Sequence, residues 1–130
     1  MYLLDTNTLI YFFKGEGEVS KHLFAHPPSQ IAIPSIVIYE LEVGIAKSTS
    51  PKKRQEQLSS LIQNVTLVPF NLEEARASAK IRADLERLGE PIGPIDTLIA
   101  GCALAHHYIL VTRNLKEFEK VKGLKTESWF

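Results

Sequence analysis

Short apolar runs alternate with helical patterns along this chain. Tyr2–Leu4, Ile31–Ile33, Val65–Val68 and Ile109–Thr112 are each too short for a helix and rich in Ile, Val and Leu, so each predicts a brief buried strand. Between them the spacing predicts a helix after Asp5, a second from about Ser35 to Lys47, and a third opening at Ser50-Pro51. There Ser caps and Pro takes the first turn. A longer helix is expected from Asn71, with Asn as cap and Glu73-Glu74 in the first turn. Its apolar stripe is Ser78, Ile81, Leu85 and Leu88, and Gly89 ends it. The last clear helix follows Gly93-Pro94-Ile95-Asp96 and runs to about His107.

Strands that alternate with helices imply a parallel sheet covered on both faces, a three-layer α/β/α sandwich. No repeat, low-complexity stretch or linker interrupts the pattern, so residues 1–130 are expected to form one domain. The softest stretch, KSTSPKKR from Lys47 to Arg54, reads as an exposed basic loop.

Composition narrows the field. The chain is 45% hydrophobic and 23% charged, which argues against disorder. Its 15 basic and 15 acidic residues cancel, so attraction to nucleic acid must come from a local patch, not from the molecule as a whole. The single cysteine, Cys102, rules out an internal disulfide and a Cys-rich zinc site, and suits a reducing compartment. No run is long enough to cross a bilayer, and the apolar start is broken by Asp5 and lacks a basic leader. A cytoplasmic protein without membrane partners is expected.

The acids carry the chemistry. Ligands of open α/β sheets collect at the carboxyl ends of the strands, and Asp5 ends the first strand in MYLLDTNTLI. An unpartnered carboxylate beside a core costs several kcal/mol or takes up a proton. Asp96 opens an apolar helix in IGPIDTLIAG. Each alone is equally explained as a helix cap. In IVIYELEVGIAK, Val37, Leu41, Gly44 and Ile45 share a face, with Glu40 and Glu42 flanking it on opposite sides. One of the two could join Asp5 and Asp96, and periodicity does not choose between them. If three such charges converge at about 5 Å, each pair repels by roughly 3 kcal/mol at an effective dielectric of about 20. Together the pairs cost roughly 10 kcal/mol, comparable to the net stability of a domain. Such a cluster needs protons or a cation, and hard oxygen ligands suit Mg²⁺ or Mn²⁺. A divalent ion that holds water and phosphate together serves phosphodiester hydrolysis.

These residues resemble the PIN-domain ribonucleases, and more closely the VapC-type toxins of type II toxin–antitoxin pairs. The resemblance runs through MYLLDTNTLI, ELEVG, IRADLERLGEPIGPIDTLIAG, LVTRNLKEF and VKGLKTESWF in order. It implies the PIN three-layer sandwich and a metal-dependent endoribonuclease. By it Asp5, Glu40 and Asp96 are the catalytic and metal-holding acids, with Glu40 chosen over Glu42 by the E-L-x-x-G frame. The implied mechanism is in-line attack on RNA by a metal-activated water, without a covalent enzyme intermediate. The fourth acidic position departs from the family, since Thr112-Arg113-Asn114 offers an amide where an aspartate is common. Asn114 through water, or Glu117, stands in its place. Thr6, Asn7 and Thr112 are candidates to orient the carboxylates, while Arg82, Arg113, Lys52, Lys53 and Arg54 are candidates to grip RNA phosphates. The resemblance further implies a homodimer, a small antitoxin of VapB type that covers the acidic site, and tRNA, initiator tRNA in particular, as the favoured substrate. Two rival readings are a PIN fold that binds RNA or protein without chemistry, and a receiver-like signalling domain. The receiver needs an acidic pair after the first strand, and Thr6-Asn7 stands there instead.

Overall fold

The computed structural model describes residues 1–130. Five parallel strands form one sheet in the order β3-β2-β1-β4-β5. They are β1 (Tyr2–Leu4), β2 (Ile31–Pro34), β3 (Thr66–Val68), β4 (Ile109–Val111) and β5 (Thr126–Glu127). Seven helices connect them: α1 (Thr6–Lys14), α2 (Val19–Phe24), α3 (Ser35–Ala46), α4 (Pro51–Ile62), α5 (Leu72–Arg87), α6 (Pro94–His106) and α7 (Leu115–Phe118). The expected α/β sandwich is what forms. No helix is long and apolar enough to cross a membrane.

The topology explains where a ligand belongs. From β1 the chain moves outward to β2 and β3, then crosses back to β4 and β5 on the other side of β1. Right-handed crossovers therefore put α1–α4 on one face and α5–α7 on the other. Strand order reverses between β1 and β4, and the carboxyl ends of those two strands flank the crevice. Leu3, Leu4, Leu110 and Val111 at its floor are fully buried, as strands covered on both faces must be.

Five elements differ from expectation. α2 and α7 are too short to show periodicity, and β5 is a two-residue edge strand of polar Thr126 and Glu127, so none has a hydrophobic signature. The supposed basic loop ends early. Lys52, Lys53 and Arg54 lie in the first turn of α4, where Pro51 starts the helix. α5 stops at Arg87, and Leu88 is 70% exposed instead of completing the stripe.

α5 and α6 are tied together by a buried pair. Glu74 is 3% exposed. Its Oε1 accepts the Asn71 amide at 2.8 Å, and its Oε2 lies 2.6 Å from Nε2 of His106. Burial acts to raise the Glu74 pKa, but the Asn71 and Glu74 amides and His106 outweigh it and the net shift is downward. Cys102 is fully buried in the core, and burial, followed by the charge of Glu74, pushes its thiol up to about 12.

A candidate acidic active site

Asp5 is the N-cap of α1, directly after β1, and is 6% exposed. Its Oδ1 accepts the Thr8 amide at 2.9 Å, and its own amide donates to the Val111 carbonyl at 3.1 Å. The cap therefore exists, yet it leaves the charge poorly compensated. Burial raises the Asp5 pKa, the Thr112 and Thr8 hydrogen bonds pull it down, and Glu40 adds an upward push; the net shift is upward.

Glu40 reaches the same crevice from α3, half-buried, and accepts the Thr6 hydroxyl at 2.5 Å. Glu42 is exposed. Asp96 enters from the first turn of α6, after Gly93-Pro94. Burial is the main reason its pKa climbs to about 6, followed by the negative charges of Glu117, Asp5 and Glu40 and a hydrogen bond to Glu117. Glu117, in α7, accepts the Gly93 amide through Oε1 at 3.2 Å and the Asn114 side-chain amide through Oε2. Four carboxylates from four helices thus feel one another at the switch point, and no lysine or arginine pairs with any of them.

The other candidates divide. Thr6 bonds Glu40, and Thr112 accepts the Asn114 amide at 3.1 Å and acts to lower the Asp5 pKa. Asn7 is exposed and makes no side-chain hydrogen bond. Arg113 follows Thr112 and lays its guanidinium over the Phe130 and Tyr11 rings. Arg54 lines a cavity beside Glu40, with its guanidinium held by the Phe13 carbonyl at 3.2 Å and Gln57 at 3.0 Å. Lys53 lines a different cavity, with Phe12 and Phe24, and Lys52 is exposed. Arg82 pairs with Glu86 on the outside of α5. Thr8 is not among the residues singled out by sequence. Its amide caps onto Asp5 and its hydroxyl donates to Val111 at 3.2 Å, and the D-x-x-T spacing is the signal that marks it.

The donor set fits a hard divalent cation. It consists of carboxylate oxygens, with an amide and hydroxyls behind them. No three Asp, Glu, His or Cys side chains gather closely enough to hold an ion between them. A pair of carboxylates with water in the other positions would suit Mg²⁺.

Metal-free protein should be more stable at pH 5 than at pH 7.5. Asp96 keeps its proton to about pH 6 when folded, whereas its ordinary value is 3.8. Its stabilisation is complete below the unfolded value and is lost as pH rises through the folded one. Asp5 acts in the same direction. Glu74 acts oppositely, losing stabilisation as pH falls below its ordinary 4.5. After allowing for solvent screening of half-buried Asp96, the difference is about 1–2 kcal/mol, or roughly 5 °C in Tm. Thermal melts in chelator at the two pH values check this, and a higher Tm at pH 7.5 would refute it.

Comparison with known proteins agrees with this fold. The PIN domain family profile matches residues 2–124. The tRNA(fMet)-specific endonuclease VapC of Salmonella typhimurium is 35% identical over 98% of this chain and 97% of its own length. Ribonuclease VapC2 of Haemophilus influenzae is 33% identical over 98% and 97%. Among solved structures, DNA-bound VapBC from Salmonella typhimurium superposes with a TM-score of 0.92 at 35% identity, covering 99% of this chain and 98% of that one. VapBC2 from Rickettsia felis, bound to a DNA fragment from its promoter, gives 0.91 at 32% identity with the same coverage. A profile spanning β1 to β4 and all four acids, and relatives alike from end to end, establish that this chain belongs to the PIN-domain family and, within it, to the VapC ribonucleases.

Proposed function

We propose that the chain is an endoribonuclease toxin that hydrolyses RNA phosphodiesters with Mg²⁺ or Mn²⁺ held at the four-carboxylate crevice. The observation that carries this reading is that Asp5, Glu40, Asp96 and Glu117 meet at the switch point with no lysine or arginine paired to any of them, and their mutual charge and burial push Asp96 upward. A site that concentrates negative charge without an internal cation is arranged for an external one. Asp5 and Asp96 are its direct ligands. When bound, the ion supplies charge neutralisation for the scissile phosphate and acidifies water. Glu40, aimed by Thr6, orients the attacking water. Thr112 and Thr8 fix the rotamer of Asp5. Glu117 takes the fourth acidic position, tied to Asn114, and steadies the Gly93 turn that presents Asp96.

The substrate we infer is tRNA, with initiator tRNA first, because curated relatives at 34–35% identity are named tRNA(fMet)-specific endonucleases. The partner we infer from the similar solved structures, which are VapBC complexes, is a small VapB-type antitoxin; the family resemblance adds a second copy of the chain.

Incubation of the purified protein with transcribed initiator tRNA in Mn²⁺ should yield discrete cleavage products. Excess EDTA should remove them, and Mn²⁺ at neutral pH should raise Tm by screening the acids. Full cleavage in EDTA would overturn the metal assignment, while intact RNA of every class in Mn²⁺ would leave a binding module. Sequencing of RNA 5′ ends after brief induction identifies the substrate.

A further inference from the structure

Arg113 is held unusually for a surface arginine. Its guanidinium carbon lies 3.6 Å from the centroid of the Phe130 ring and 5.6 Å from that of Tyr11. The two rings meet edge-on at 4.8 Å. Arg113 forms no ion pair and no side-chain hydrogen bond, whereas Arg54, Arg82 and Arg87 each have polar partners. Stacking uses the guanidinium face and leaves its in-plane N–H donors free.

The ring beneath it is fixed with care. Phe130 is 38% exposed, yet its carbonyl accepts the Glu18 amide at 2.7 Å. Gly17, at φ 62°, approaches so closely that a Cβ there would stand 2.7 Å from that carbonyl oxygen. Next to it, Trp129 is 1% exposed, stacked between His22 and His26 with centroids at 5.7 and 5.2 Å. An exposed ring anchored this firmly is a platform, not a frayed end.

Location supplies the occupant. Arg113 lies two residues after Val111, whose carbonyl accepts the Asp5 amide at 3.1 Å. Beside a crevice of four carboxylates, an incoming polyanion is repelled unless a cation stands at the rim. An arginine flanked by aromatic rings matches the phosphate and base faces of single-stranded nucleic acid.

Resting on the ribonuclease reading above, we propose that Arg113 binds a phosphate of the RNA strand flanking the scissile bond, and that Phe130 is the positioning residue that holds its guanidinium there. Phe130 acts through Arg113, so its loss should weaken binding and spare the chemical step.

The test measures binding of a fluorescein-labelled tRNA anticodon-hairpin RNA in EDTA, by anisotropy across a salt series, with cleavage kinetics in Mn²⁺ run in parallel. Arg113→Ala should raise Kd and KM by about tenfold or more and lower the salt slope by about one, with kcat within about twofold. Phe130→Ala should raise Kd about threefold to tenfold, and Phe130→Tyr, which keeps the ring, should restore it. Arg113→Ala binding with wild-type affinity and slope would overturn the phosphate contact. Phe130→Ala binding like wild type, or Phe130→Tyr failing with it, would overturn the positioning role. Wild-type cleavage alongside unaltered Arg113→Ala binding sinks this proposal alone. Weakened Arg113→Ala binding without any wild-type cleavage sinks the nuclease reading and leaves the contact standing.

Discussion

Replacing Asp5 with asparagine is expected to abolish RNA cleavage while leaving the fold at least as stable as before. The two effects separate because Asp5 holds two positions at once. As N-cap of α1 it accepts the Thr8 amide at 2.9 Å, and asparagine caps a helix as well as aspartate does. As a carboxylate it is 6% exposed, and burial and Glu40 both disfavour its charge. Removing that charge from metal-free protein relieves repulsion, so Tm should stay level or rise by a few degrees. For catalysis, under the proposed assignment, the same change removes one of two direct cation ligands. Losing several kcal/mol of transition-state charge stabilisation lowers kcat by roughly a thousandfold or more. Paired measurements of Tm and single-turnover cleavage in Mn²⁺ decide the matter. Activity above about a tenth of wild type would show that Asp5 is a structural cap and nothing more.

Much of this arrangement was legible in the chain, for reasons that also mark the limits. The parallel strands stood out because they are buried on both faces and read as continuous apolar runs, and Asp5 stood out because it interrupts that pattern. The choice between Glu40 and Glu42 was beyond periodicity, since both flank the apolar face of α3. It depends on Thr6, 34 residues away, a contact that exists only once β1 and β2 pair. Asn7 looked as suitable as Thr6 and lies exposed, because one residue along a helix turns the side chain away. Glu117 was visible as an alternative acid, but α7 has a single turn and no periodicity to aim it. Arg54 shows the opposite error. Its charge reads as solvated loop, yet Pro51 starts a helix that brings it to the Phe13 carbonyl.

A second large effect, on stability, is expected at a position with no part in the chemistry. Gly101 sits in α6 where it crosses α5, and Ser78 faces it from α5, buried and with its hydroxyl unpartnered. A Cβ at Gly101 would stand 1.8 Å from Ser78 Oγ, 2.8 Å from its Cβ and 2.9 Å from its Cα. Rotating the serine relieves only the first of these. The other two require the helices to move apart, against a core that is close-packed. Alanine favours a helix over glycine by about 1 kcal/mol, so the observed loss is net of that gain. Gly101→Ala should still cost about 3 kcal/mol or more, or roughly 10 °C in Tm. Ser78→Ala alone, which removes an unsatisfied buried hydroxyl, should be neutral or stabilising. Combining the two should recover only part of the loss, because alanine at position 78 still presents a methyl group and backbone to the new one. Melts of the two single variants and the double variant close the cycle. A Gly101→Ala protein melting within about 2 °C of its parent would mean that the helices are free to separate. The consequence reaches the crevice, since Asp96 lies in the first turn of the same helix. Displacing α6 from α5 shifts that carboxylate relative to Asp5 and Glu40, and cleavage should fall in Gly101→Ala even below its melting temperature.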